Sequence, residues 1–365
     1  MNSIRTLSIA TLAMCLALFG CSKDEKKQDK AAEGTASEVA ADGTDTADPG
    51  AARTMAAPTT ASEAPAPVSG TSAAAAGYDM FRKDMNLVVG INLNSLRSNP
   101  AFTMARPMIA AALAKESDGK YGQYTGACGL DPIDAVHSLM VGGVIDGDKD
   151  FVLVVSGIDK TRLNKCIEGI GKVAKEEVDI IEDGKLTTYQ PKKKDDKPLN
   201  VAWLSDATLI VAPELSKETL RERADGKDGM SGNAMMSDML GKVNNKATFW
   251  VVSTPPADKG KDMPIQITGV YGSVELKDGL AIDVGLMSKD EAEAKKGAEA
   301  LQKKLKEGVA ELKGSPFAPM ANKFVPKVSV KTEGKYILVN LTLNDAEYKE
   351  VLAMAQGFAK MAGGM

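Results

Sequence analysis

Apolar residues recur at every second position, or in short unbroken runs, over residues 87–96, 139–145, 151–157, 178–189, 201–212, 247–253, 267–276, 280–287, 328–330 and 336–343. A side-chain period of two marks a strand with one buried face, and a short apolar run bounded by turn residues suits a strand buried on both. Tight-turn pairs lie within or between these runs: Asp183-Gly184, Asp206-Ala207, Asp278-Gly279 and Glu333-Gly334, with Asp146-Gly147-Asp148 between the second and third. Glycine supplies the positive φ that short hairpins demand, so neighbouring strands are expected to pair antiparallel.

The period lengthens to that of a helix between 289 and 313, where Ala294, Ala298, Leu301, Leu305, Val309 and Leu312 form one stripe among Lys and Glu. Asn344 with Asp345 and Glu347 resembles an N-cap for a last helix over 345–361. Residues 161–175 read as a helix, and Met104, Met108 and Ile109 enrich an earlier one. The expected fold class is α+β, a largely antiparallel sheet or sheets with helices mainly on one face. The order strand, hairpin, helix, hairpin, helix recurs, which suggests two pseudo-repeated halves, 78–229 and 230–365.

At 44% hydrophobic and 26% charged residues, the chain has the composition of a protein that builds an ordinary core without metals. A net charge of −4 speaks against nucleic acid as a partner, since neutralising phosphates takes a concentrated basic face. The one basic knot, Lys192-Lys193-Lys194, is followed at once by Asp195-Asp196 and reads as a solvated loop. His137 is the single histidine, so schemes needing two imidazoles fail. Asp131, Asp134 and His137 fall three residues apart, but Pro132 opening a helix with Asp131 as its N-cap accounts for that spacing. Asp146, Asp148 and Asp150 resemble an acidic calcium loop without its twelfth-position Glu, so a hairpin turn is the expectation there. No nucleophile elbow, P-loop or dinucleotide fingerprint is present. No catalytic residue, metal site or cofactor is expected.

The first 21 residues carry Arg5, an apolar run from Leu7 to Phe19, and Leu18-Phe19-Gly20-Cys21 before the polar Ser22-Lys23-Asp24. A charged start, a short apolar core and a small residue before the cut mark an export signal, and the run is too short to span a bilayer. The segment resembles a bacterial lipoprotein signal. That resemblance implies that residues 1–20 are removed, that Cys21 becomes acylated, and that the chain is held to a membrane of the cell envelope by buried methylenes. Ser22, where the family's inner-membrane retention signal has Asp, leans the expectation toward the outer membrane. Residues 21–77, rich in Ala, Thr and Pro and without aromatic residues until the boundary, are expected to form a disordered tether about 40 Å from end to end. The folded part also resembles bacterial envelope lipoproteins in which a Cys-Gly-Leu-Asp-Pro loop precedes a hairpin, a likeness that implies no activity.

With Cys15 in the signal and Cys21 the lipid site, Cys128 and Cys166 remain. In an oxidising compartment they invite a disulfide between a loop and a helix; the alternatives are two free buried thiols or a redox pair, the latter without a C-x-x-C spacing to support it. Met230, Met235, Met236 and Met239 cluster at the join of the halves and offer a hydrophobic contact surface, or fill a core. Two functions follow as expectations. The first is a non-enzymatic interaction or structural module that engages another envelope protein or the cell-wall polymer, with a filled interior and an exposed patch. The second is a periplasmic carrier of a lipid or other hydrophobic ligand, with a cavity lined by Met, Leu and Val.

Overall fold

The computed structural model describes residues 72–362, apart from 118, 146–150, 194–196, 256–265 and 316–317. Cys21, most of the tether, Lys194 to Asp196 and the Asp146–Asp150 turn lie outside the described residues. The strands are β1 (Leu87–Asn92), β2 (Ser138–Gly143), β3 (Val152–Ser156), β4 (Val178–Asp183), β5 (Leu186–Pro191), β6 (Leu199–Ser205), β7 (Thr208–Val211), β8 (Phe249–Ser253), β9 (Ile267–Glu275), β10 (Gly279–Ser288), β11 (Ser329–Glu333) and β12 (Tyr336–Asn344). The helices are α1 (Leu93–Arg97), α2 (Pro100–Glu116), α3 (Tyr121–Cys128), α4 (Pro132–Ala135), α5 (Lys160–Ala174), α6 (Lys217–Ala224), α7 (Ala234–Lys242), α8 (Glu291–Glu311), α9 (Ala318–Phe324) and α10 (Asp345–Ala362).

All twelve strands form one sheet in the order β11-β12-β10-β9-β8-β1-β2-β3-β7-β6-β5-β4, and every pairing is antiparallel. The apolar runs over 178–189 and 201–212 each resolve into a hairpin, and Gly184 (φ 61°) takes the left-handed turn that its Asp-Gly pair announces. β1 and β8 are neighbours at the centre of the sheet. Outward from that pair the order is β2-β3-β7-β6-β5-β4 on one side and β9-β10-β12-β11 on the other. On each side the last strand in sequence pairs with the strand that precedes a long helix, β7 with β3 and β12 with β10.

The first run does not stay extended to Leu96. Asn92 turns its side-chain oxygen onto the amide of Ser95 at 3.2 Å and caps α1. Leu93 and Leu96 are buried all the same, because a spacing of three also fits one face of a helix. The tether boundary moves as well: Ala73 is fully buried, and its amide donates to Ser138 Oγ at 2.8 Å.

Both faces of the sheet are covered. One packs against residues 73–85, α6 and α7, in a core that includes Phe81, Met85, Leu220, Met236, Met239 and Trp250. The other carries α1 to α5, with Leu93, Phe102, Ile133 and Ile167 on Leu139, Leu153 and Val155. Ile337 and Val339 meet α8 at Ala294 and Ala298, whereas Tyr336 and Leu338, which alternate with them, face the methionine-rich core. Strand alternation therefore puts α8 on the same side as α1 to α5. α9 and α10 stand beside it, with Lys323 paired to Glu350. Most helices thus share one face, and α6 and α7 close the other.

Candidate functional site

α5 begins where the Asp159 side chain accepts a hydrogen bond from the amide of Arg162 at 2.9 Å, and it buries Cys166, Ile167 and Ile170. α3 lies outside α5 and touches it closely. A β-carbon on Gly169 would stand 2.4 Å from the carbonyl oxygen of Ala127, so only glycine admits this approach. Cys128 ends α3, where a loop was expected from Gly126-Ala127-Cys128-Gly129, and the left-handed turn falls one residue later at Gly129. Its sulfur is bonded to that of Cys166, so the two cysteines link helix to helix. Tyr124, Cys166 and Ile170 form a small core of their own beneath α3.

Between this helix pair and the sheet is a cavity of about 170 Å³ with an almost wholly apolar wall. Leu139, Leu153, Val155 and Leu209 make its floor, and Ile167 and Tyr124 are among the side chains above it. Three of the hydroxyls in the lining donate to the protein's own acceptors. Tyr121 Oη donates to Asp131 Oδ1 at 2.6 Å, Ser117 Oγ to the carbonyl of Ala114 at 3.1 Å, and Thr125 Oγ1 to that of Gly122 at 3.1 Å. Burial, and then the bond to Asp131, push the Tyr121 phenol far above its ordinary pKa, so it stays protonated. A wall of this kind can hold hydrocarbon.

The methionines named from the sequence lie across the sheet. Met230, Met236 and Met239 are fully buried in the opposite core, and only Met235 presents surface, at 41% exposure. None of them lines the cavity, whose wall is mostly Leu, Val and Ile. The Asp131, Asp134 and His137 spacing does not converge either. Asp131 caps α4 through the amide of Ile133 at 2.9 Å, Asp134 pairs with Arg106, and His137 lies past the helix end. Lys192 and Lys193 are paired with Glu177 and Glu176 at 2.6 and 2.7 Å. Among the described residues no three His, Cys, Asp or Glu side chains group to hold a metal, and no helix is long and apolar enough to cross a membrane.

The cavity had no separate signature in the chain. Its strand residues have the same alternation as any buried face, and the helix that roofs it carries two glycines, Gly122 and Gly126, which weaken a helical pattern. Compared with protein-family models, curated proteins and solved structures, the chain matches none.

Proposed function

We propose that this chain is a lipid-anchored protein of the bacterial cell envelope, attached through Cys21, that carries a small apolar ligand between sheet and helices and catalyses no reaction. The observation that carries the ligand reading is the cavity of about 170 Å³ beneath α3. Native interiors are packed nearly as densely as organic crystals, and an unfilled apolar volume of this size is costly unless something occupies it. A partner-binding module would instead fill its interior and expose a patch. Among the described residues the large exposed hydrophobics, Met108, Val144, Val173, Ile181, Met235 and Leu312, each lie on a different element or loop. These observations favour the carrier, with the expected Leu and Val in its lining and Ile where Met was expected.

Native mass spectrometry of the full chain bearing Cys21→Ser, purified without detergent, tests the reading. Added mass that disappears on denaturation is the expected result. A bare chain that also gains no mass after incubation with an extract holding both envelope lipids and small apolar metabolites would overturn it.

A further inference from the structure

The size and chemistry of the cavity define its occupant more narrowly. An engineered cavity of about 150 Å³ lined by Leu, Ile and Phe stays dry and binds benzene. The volume here, about 170 Å³, is therefore room for about six or seven carbons, well short of a membrane acyl chain. The wall is almost wholly apolar, and the hydroxyls of Tyr121, Ser117 and Thr125 donate to the protein's own acceptors, so a hydrocarbon group suits this space better than one that needs hydrogen bonds. The wall residues that keep part of their surface in solvent include Leu130 and Pro132, on the approach to α4, and Ile158 and Leu163, at the start of α5. These two segments form part of the rim, which Tyr121 and Thr125 of α3 share. The charges along them are paired: Arg106 with Asp131 at 3.6 Å and with Asp134, Arg162 with Asp159 at 3.2 Å, and Lys160 with Glu182 of β4 at 2.8 Å. Among the described residues of these two segments, a bound molecule therefore finds each charge already partnered.

Resting on the ligand-binding reading above, we propose that the occupant is a small neutral amphiphile. Its hydrocarbon end, a ring or a chain of about six carbons, fills the space over Leu153 and Val155. Its polar head stays at the rim between Pro132 and Ile158. A whole diacyl lipid does not fit this description, and neither does a charged fatty acid held by an ion pair.

The test titrates straight-chain 1-alkanols from ethanol to dodecanol into the full chain bearing Cys21→Ser, with the methyl groups of Leu153, Val155 and Ile167 followed by NMR. Each buried methylene should tighten binding about fourfold, up to six or seven carbons, after which affinity levels off. An affinity that keeps climbing about fourfold per carbon to dodecanol, with the same methyls shifting, would remove the size limit and leave the carrier reading standing. Hexanoate binding tighter than hexanol would remove the neutral head. If no alcohol moves any of the three methyls, the cavity takes no ligand of this kind and both readings fall.

Discussion

The carbonyl oxygen of Ala127 occupies the place that a β-carbon on Gly169 would need, 2.4 Å away. Through this contact α3 reaches α5 closely enough for Cys128 to bond Cys166, and the roof of the cavity depends on it.

Gly169→Ala should therefore destabilise the protein by about 1–3 kcal/mol, because the obstacle is backbone and the helix pair must separate. Alanine's better helix propensity, worth about 1 kcal/mol, acts in the opposite direction. The control is Gly126→Ala on α3, where an added methyl meets nothing within 4 Å and should stabilise by up to about 1 kcal/mol. Urea denaturation of the two variants gives shifts of opposite sign, and equal signs would mean that α3 does not press on α5.

The disulfide closes a segment of 38 residues, and its removal by the paired change Cys128→Ser and Cys166→Ser should cost about 3–4 kcal/mol. The loss should appear first in α3. That helix has eight residues, no side-chain N-cap at Lys120 and two glycines, so little beyond tertiary contact holds it. Hydrogen exchange should show α3 amides losing protection while α5 keeps its own. Simultaneous loss in both would make them one cooperative unit.

His137 has a buried Nδ1 without a hydrogen-bond partner. Burial first, then the nearby Arg97 and Arg162 guanidinium groups, hold its pKa below the usual 6.5. The unfolded chain thus takes up this proton at a higher pH than the folded one. The contribution of the neutral ring is complete above pH 6.5 and is lost as the pH falls toward the lower folded value. Between pH 7 and 5 the urea midpoint of the wild type should fall more steeply than that of His137→Gln; parallel curves would contradict the assignment.

On the other face, the Trp250 ring of β8 lies over Gly90 of β1, where a β-carbon would stand 2.0 Å from ring atom Cε2. Gly90→Ala should expel or tilt this ring, lower stability by about 1–3 kcal/mol and shift tryptophan emission to the red. An unchanged spectrum and midpoint would show that the ring has room to move aside.

Short-range signals settled much of the fold. The period-two runs and the Asp183-Gly184 and Glu333-Gly334 turns determined hairpins whose strands pair as read, because a turn needing positive φ and a strand with one apolar face are both local properties. The helix carrying Cys166, α8 and the capped last helix were legible for the same reason. The spacing of Leu93 and Leu96 was ambiguous, since it serves a helix or a strand, and α3 was hidden by its glycines.

What the chain by itself determined, then, was a set of elements, the antiparallel pairing of sequence neighbours and the two cysteines available to each other. Only the tertiary structure decided that β1 pairs with β8 to make one sheet, that Met230, Met236 and Met239 fill a core, and that a cavity lies across the sheet beneath α3. Pairing between distant strands and the volume left between layers depend on how whole faces fit together. A residue's own neighbours in sequence do not contain that information: Val155 in the cavity floor and Val154 in the opposite core are adjacent valines, told apart only by what packs above each.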